Sequence, residues 1–295
     1  MSEKPIISIV LPTFNQALLL REALDSIVAQ TTDAWEALII DNQSTDDTRA
    51  VVEAFSEPRF RYSEIDNQGI IAASRNQAIQ QARGDWVAFL DSDDIWMPEK
   101  LAECLGAVDS EVDLICHREH TVRDGHVLRT SSSPVDSWPS HRNLWVHGNC
   151  FSPSSVMVRR QLLQCVGGFS ERSEFVTCED YDLWLRLVEY GMRVKFIDPI
   201  LSQYRLHDSN ASTAIERHMK ANMAVIDDHF ERLSPRKRCD YLTLIRRRAE
   251  ALYGGGRSYA AAGQMREARA LYLRAVCKFP LSIRPYAAWL LSWAP

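Results

Sequence analysis

The stretch GDWVAFLDSDDIWM, residues 84–97, constrains this chain more than any other. An apolar run from Trp86 to Leu90 stops abruptly at Asp91-Ser92-Asp93-Asp94. A short, wholly apolar run bounded by glycine on one side and polar residues on the other reads as a buried strand of a parallel sheet. In open α/β sheets ligands collect at the carboxyl ends of such strands. Carboxylates crowded at that point repel one another unless a cation sits among them. A divalent metal with oxygen ligands, itself bridging phosphate oxygens, meets that need. The competing reading is an acidic turn capping the next helix, since Asp94 lies just ahead of Met97-Pro98-Glu99-Lys100.

The preceding residues supply the rest of a sheet. Ile6 to Pro12 is β-branched and almost unbroken in apolarity, a first buried strand. Leu18 to Ala29 then shows helical spacing through Leu20, Ala23, Leu24, Ile27 and Val28. A second strand, Ala37 to Ile40, runs into Asp41–Asp47, where Thr45 or Asp46 can cap a helix from Thr48 to Phe55. A short strand near Phe60–Tyr62 and a helix from Ala72 to Ala82 complete the pattern. Strands alternating with helices of this length imply βαβ units and a parallel sheet. The first strand-to-helix turn, Pro12 to Gln16, contains no glycine, and no G-x-x-x-x-G-K-[ST] occurs. A Rossmann dinucleotide site and a P-loop are therefore poor readings.

Beyond Asp94 the pattern changes. Leu101–Val108 is helical; Asp113–Cys116 and Thr121-Val122 read as two strands, with a turn at Asp124-Gly125. Residues 130–140 are rich in Ser and Pro and read as a surface loop. Val156–Val158 is a strand, Arg160–Cys165 a helix, Gly167–Phe169 a turn, and Cys178–Leu187 opens another helix. Val194–Ile197 and Ile200–Arg205 read as two strands around Pro199. From Ala214 the composition is helical, with an interruption expected at Gly254–Gly256. Tyr259–Phe279 resembles one tetratricopeptide-type hairpin, a unit that cannot bury its own face alone. The tail, Arg284 to Trp293, sets Trp and Tyr among apolar residues beside a cation. It suits either a peripheral membrane contact or packing on the preceding helices, the commoner use of such residues.

Composition narrows the function classes. A net charge of −5 argues against nucleic acid as partner. The cysteines (104, 116, 150, 165, 178, 239, 277) are odd in number and lack any C-x-x-C pair. That suggests reduced thiols in a cytoplasmic protein, not a disulfide framework or a zinc site. The N-terminal apolar run is too short for a secretory signal, and no window is long enough to span a bilayer. The expected protein is cytoplasmic, at most peripheral at the inner face of the membrane.

Seven segments, SIVLPTFN, LIIDNQSTDDT, NQG…SRN, GDWVAFLDSDDIW, GGFSE, CEDYDLWLRL and YRLHDSNAS, lie in order across roughly residues 6–212. In that order they resemble the family 2 glycosyltransferases. The resemblance implies the GT-A fold, an α/β nucleotide-sugar-binding mixed sheet, over residues 1–213, with a C-terminal α-helical appendage over 214–295. It also implies an inverting, metal-dependent transfer from a nucleotide-sugar, UDP-linked first of all, to a saccharide or lipid-linked saccharide acceptor in polysaccharide biosynthesis.

The resemblance carries roles onto particular residues. Asp41 is expected to accept a hydrogen bond from the nucleobase, a pairing that suits a ring N–H; the alternative is local capping by Asp41 or Ser44. Pro12 and Thr13 form the base and ribose wall, and Ser92 joins the donor site. Arg75 resembles the family's arginine near the nucleotide, a rigid guanidinium fork that suits phosphate; the alternative is an ion pair with a strand-end aspartate. Asp91 and Asp93 match the D-x-D pair, the first toward ribose or metal-bound water, the second ligating Mn2+ or Mg2+. Asp94 is either a neighbour of the metal ligands or a helix cap. His207 resembles the histidine that some members add as a ligand, which favours Mn2+; its alternative is structural. Asp180 matches the catalytic base that takes a proton from the acceptor hydroxyl, with Glu179 orienting it. Alternatively Glu179, Asp180 and Asp182 only serve the helix dipole. Trp184 is a core residue or lines the acceptor site. Asn42 stands where many relatives carry Asp. Two other classes share features: a nucleotidyltransferase, which needs a Gly-rich basic loop that Pro12–Asn15 lacks, and a non-catalytic nucleotide-sugar-binding relative, which does not need Asp180.

Overall fold

β1 (Ile7–Thr13) is buried at every residue, as is β2 (Trp35–Asp41), and the two pair in parallel with Thr13 opposite Asp41. β4 (Trp86–Phe89) pairs in parallel with the other side of β1, and β3 (Phe60–Glu64) with β2. This 3-2-1-4 core is covered by α1 (Ala17–Val28), α2 (Thr48–Ala54) and α3 (Ile71–Gln81). Ile9, Leu11, Ala37, Ile39, Ala88 and Leu90 pack against Leu20, Leu24 and Ile27 of α1 in one apolar cluster. Gly84 lets the chain enter β4: a Cβ there would lie 2.7 Å from the backbone of Ile7 and Ser8, closer than any side chain tolerates.

The computed structural model describes residues 4–131, 140–207 and 214–293. They form two compact units. The first comprises Met1–Ser140, Cys150–Glu171 and Arg186–His207; the second comprises His141–Asn149, Arg172–Leu185 and Asp208–Pro295. The first unit holds the mixed nine-stranded sheet, ordered β3-β2-β1-β4-β8-β6-β9-β5 with β7 on β6. Beyond β4 the strands are β8 (Val156–Arg159), antiparallel to both β4 and β6 (Leu114–Arg123), then β9 (Val194–Arg205), parallel to β6. β5 (Ile95–Trp96) and β7 (His126–Thr130) are antiparallel additions. α4 (Lys100–Gly106) and α6 (Arg160–Cys165) complete the unit.

Three expectations change. The two strands read at 113–116 and 121–122 are one continuous β6, because His117 to His120 are held between β9 and its other neighbours despite their polarity. The strands flanking Pro199 are also one, β9: its register against β6 slips where Ile197 pairs His117 and Ile200 pairs Arg118. That irregularity leaves Asp198 and Pro199 out of the ladder, as a residue without an N–H requires. β5, two residues long, carries too little pattern to be read. Of the expected loop over residues 130–140, Thr130 ends β7, and 132–139 lie outside the described residues.

The second unit is helical: α5 (His141–His147), α8 (Ile215–Arg232), α9 (Arg238–Ala261), α10 (Met265–Lys278) and α11 (Ile283–Leu291), with most of α7 (Glu179–Glu189). The expected break at Gly254–Gly256 does not occur, and α9 runs through it. These glycines are contact surface. A Cβ on Gly256 would meet the Tyr272 ring at 2.6 Å, and one on Gly255 the Met219 sulfur at 3.0 Å. Close approach of α8 and α10 to α9 outweighs the local helix cost of glycine.

Candidate active site

The first unit gathers the strand-end residues. β1 and β2 finish side by side, and the loops after them are tied together. The Asn15 amide donates to Ser44 Oγ at 2.8 Å, and Asn15 Oδ1 accepts from the Thr45 amide at 2.7 Å. Asp46 serves the first residues of two helices, accepting from the Ala17 amide at 2.9 Å and the Thr48 amide at 3.0 Å. Asp41 is buried, and both its oxygens have protein partners: the Tyr62 hydroxyl at 2.6 Å on Oδ2, the Ser44 hydroxyl at 2.5 Å on Oδ1. Burial, then the bond to Asp41, pushes the Tyr62 phenol well above its ordinary pKa, so Tyr62 stays a donor. Beside Asp41, Thr13 is buried and its hydroxyl has no hydrogen-bond partner among the described residues. A buried donor left in this condition is rare unless a ligand or water completes it.

Asn42 accepts the Asn67 amide at 2.9 Å on its side-chain oxygen. Asn67 in turn accepts from the Gly69 amide and donates to Ser74 Oγ, each at 2.8 Å. These bonds shape the NQG turn that leads into α3 and Arg75. Arg75 is buried, and its Nη2 donates to Asp91 Oδ1 at 2.7 Å, with the guanidinium 5.2 Å from the centre of the Phe169 ring. Arg75 thus makes an ion pair with a strand-end aspartate.

Asp91 to Asp94 leave β4 in a turn, the Asp94 amide donating to the Asp91 carbonyl at 3.0 Å. Their side chains diverge. Ser92 donates to Gln16 Oε1 at 2.5 Å. Asp93 Oδ2 lies 3.0 Å from His207 Nε2, bringing together residues 114 apart in sequence. Asp94 is fully buried, accepting from Ser154 Oγ at 2.5 Å and from the Arg205 amide at 3.0 Å. It does not cap α4, whose N-cap is Glu99. Burial first, then the neighbouring aspartate charges, push the Asp94 carboxyl well above the usual carboxylate range. Burial and the Asp91 charge also raise Asp93, against the opposing contribution of His207. Arg205, which closes β9, donates to the Asp93 carbonyl and pairs with Glu22. Arg205 has no role in the sequence reading; its signal there is a cation two residues before His207.

The residues fit a divalent cation. A carboxylate oxygen and an imidazole nitrogen converge at 3.0 Å, and burial first, then neighbouring aspartate charge, holds the Asp93 and Asp94 carboxyls above the usual range, as a site suited to a cation would. Among the described residues, the groups of three or more candidate ligands lie around His229, not here. Asp93 and His207 thus offer two ligands, a number that suits a metal shared with substrate phosphates.

The second unit carries the other half of the predicted set. Asp180, half-buried in the first turn of α7, accepts from Asn149 Nδ2 at 2.9 Å. Glu179 turns the other way: its Oε2 accepts the Thr177 amide at 2.7 Å. Thr177 has φ +83°, a genuine outlier for a β-branched residue. Its hydroxyl lies 3.1 Å from His218 Nδ1. Strained backbone held from both sides directly before the first turn of a helix is a positioning device. Asn149, Thr177 and His218 were missed, since an unusual φ leaves no mark in residue type. Asp182 is buried with His229, whose Nε2 lies 3.0 Å from Asp182 Oδ1 and whose Nδ1 lies 2.9 Å from His141 Nε2. Burial, then the His229 neighbour, pulls His141 down to about 4. Trp184 is fully buried, so the core alternative holds and it presents no surface to an acceptor.

Comparison with known proteins places the chain in a family and a fold. Residues 8–167 match the model of "Glycosyl transferase family 2". The chain is 29% identical over 244 residues to the Escherichia coli UDP-Glc:alpha-D-GlcNAc-diphosphoundecaprenol beta-1,3-glucosyltransferase WfgD, covering 80% of this chain and 90% of that protein. It is 26% identical to the putative teichuronic acid biosynthesis glycosyltransferase TuaG of Bacillus subtilis, covering 71% and 82%. In three dimensions it resembles S. aureus TarS in complex with UDP-GlcNAc, with TM-score 0.66, 19% identity, and 97% and 89% of the two chains covered. It also resembles the mannosyltransferase PcManGT from Pyrobaculum calidifontis in complex with GDP-Man and Mn2+, with TM-score 0.60, 19% identity, and 99% and 80% covered. These likenesses identify the sheet as GT-A.

Proposed function

Since the chain belongs to glycosyl transferase family 2, we propose that it moves a sugar from a UDP-sugar to a saccharide or lipid-linked saccharide acceptor, with inversion at the anomeric carbon. The observation that carries the reading is the meeting of Asp93 with His207 beside the Arg75–Asp91 pair at the carboxyl end of β4. Residues 1–213 are the catalytic domain in this reading, and 214–295 a helical region.

Thr13 and Pro12 wall the base and ribose, and the unpartnered Thr13 hydroxyl is available to the nucleoside. Asp41 receives the base N–H on a carboxylate already oriented by Tyr62 and Ser44. Asp91 is held by Arg75 at the height of the ribose, with Ser92 next to it. Asp93 and His207 would hold Mn2+ or Mg2+, which when bound neutralises charge on the departing diphosphate. Asp94 keeps the turn in place through Ser154 and Arg205.

Asp180 accepts the proton of the acceptor hydroxyl as that oxygen attacks the anomeric carbon and the bond to the nucleoside diphosphate breaks. An ordinary carboxylate is a weak base, so its work is done by placement; Asn149, the Glu179–Thr177 bond and the strained Thr177 backbone supply that placement. The relatives' named substrates, a UDP-glucose donor and a diphosphoundecaprenol-linked acceptor for WfgD, favour the lipid-linked class. Release of free nucleoside diphosphate from a panel of nucleotide-sugars, with and without Mn2+, tests the reading. The Asp180→Asn variant should bind donor normally and lose about a hundred- to ten-thousandfold in turnover. An active Asp180→Asn enzyme places the base elsewhere.

A further inference from the structure

α11 is inside out. Its buried side consists of Pro285 and Ser292, with Ala288 and Trp289 half-covered. Apart from Arg284 its exposed side is apolar: Ile283 is 81% exposed, Leu291 72% and Leu290 64%, flanked by Leu281 at 82% just ahead of the helix and Trp293 at 60% just after it. The sequence expectation that these residues pack on the preceding helices is therefore wrong for most of them. A helix that turns its leucines and tryptophan to solvent has a surface waiting to be covered.

Charge says what covers it. Residues 257–293 hold six basic side chains (Arg257, Arg266, Arg269, Arg274, Lys278, Arg284) and one acidic, Glu267, in a chain whose net charge is −5. Five of the six are exposed, and Arg269 lies over the Trp293 ring at 3.9 Å. A second copy of the chain docked by a two-fold axis would bring these cations against their own duplicates. An anionic bilayer neutralises them while accepting the leucines, and Trp and Tyr favour the depth at which acyl chains meet headgroups. A cleft of about 680 Å³ adjoins the helix, lined by Tyr253, Phe279, Leu281 and Ile283 together with Arg284 and the Arg246–Glu250 ion pair. Its apolar floor with Arg284 beside it suits the chain and phosphate of a phospholipid.

We propose that α10 and α11 form a docking surface for an anionic phospholipid bilayer, with Ile283, Leu290, Leu291 and Trp293 entering the interface and Arg274 and Lys278 engaging phosphates. Among the described residues no helix is long and apolar enough to cross a membrane, so the contact is one of lying on the surface. The inference deepens the lipid-linked reading of the acceptor, yet its test uses no sugar, so the two can fail separately.

Purified full-length protein is sedimented with vesicles of phosphatidylcholine alone and of phosphatidylcholine mixed with phosphatidylglycerol. Binding should favour the mixed vesicles and weaken as salt is raised. Leu290→Glu/Leu291→Glu and Arg274→Ala/Lys278→Ala should each lower vesicle affinity by roughly tenfold or more, with unchanged thermal unfolding and UDP affinity. Absence of binding to the mixed vesicles overturns the proposal. So does an unaltered affinity in the leucine variant, or a dimer that this variant dissociates in a protein that ignores vesicles.

Discussion

Lys100 opens α4 with its ammonium fully buried, without a hydrogen-bond partner among the described residues, 3.7 Å from the centre of the Trp96 ring. Burial pulls its pKa down to about 8. In the unfolded chain a lysine titrates near 10.4, so folding costs about 3 kcal/mol at neutral pH for keeping this one charge. The ring face returns about 1–2 kcal/mol of that. Met has the same unbranched stem, and Lys100→Met should therefore raise stability by about 1–3 kcal/mol at pH 7. The sign with pH follows from proton counting. Between about 8 and 10.4 the unfolded chain binds the proton that the folded chain has released, so this group's contribution to stability rises with pH across that window. Urea denaturation of both proteins, compared at matched pH from 7 to 10.5, isolates the effect, because titrating groups remote from Lys100 cancel in the difference. The advantage of Lys100→Met should shrink to near zero by the upper end. A variant less stable at pH 7, or an advantage independent of pH, would refute the account and require a partner for the ammonium.

Asp93→Ala and His207→Ala should each weaken Mn2+-dependent UDP binding in calorimetry by about tenfold or more, while metal-free binding stays unchanged; equal Mn2+ dependence in either variant removes that residue from the ligand set. His141, held near 4 against an unfolded value near 6.5, binds its proton in the unfolded chain first, so stability should fall as pH drops from about 6.5 toward 4. Partial exposure limits the loss to about 1–2 kcal/mol, and His141→Gln should flatten that part of the profile in thermal melts. Gly256→Ala sets a Cβ 2.6 Å from the Tyr272 ring and should cost about 1–3 kcal/mol despite alanine's better helix propensity. A stabilised Gly256→Ala protein would show that α9 and α10 have room to part.

The elements of the first unit were legible because each buried strand is a short apolar run ended by polar residues, and each helix carries its apolar stripe. Ile7–Thr13, Trp35–Asp41 and Trp86–Phe89 needed only that period. Reading failed where a neighbour, not the segment itself, decides the conformation. The polar His117–His120 stay in β6 because strands flank them, and Gly254–Gly256 stay helical because Tyr272 and Met219 fill the space a side chain would take. At the candidate site, residue type made the acids at Asp91–Asp94 conspicuous at a strand end, while Asp41, Asp180 and His207 were singled out through the family resemblance. Tyr62, Asn149, Ser154, Thr177 and Arg205 were silent, because a hydroxyl, an amide or a strained φ acquires meaning only from what stands beside it.

The sequence alone determined the family, through seven short segments in order, and the alternation of strands and helices in the first part of the chain, properties that each segment carries within a few consecutive residues. Tertiary structure decided the partners. It set Arg75 against Asp91 and Asp93 against His207, and sealed Asp94 and Trp184 from solvent. It also left most apolar residues of α11 exposed, a choice between covered and exposed that composition left open. Contacts of this kind join residues up to more than a hundred positions apart, and period and propensity, which act over one or two turns, contain no information about them.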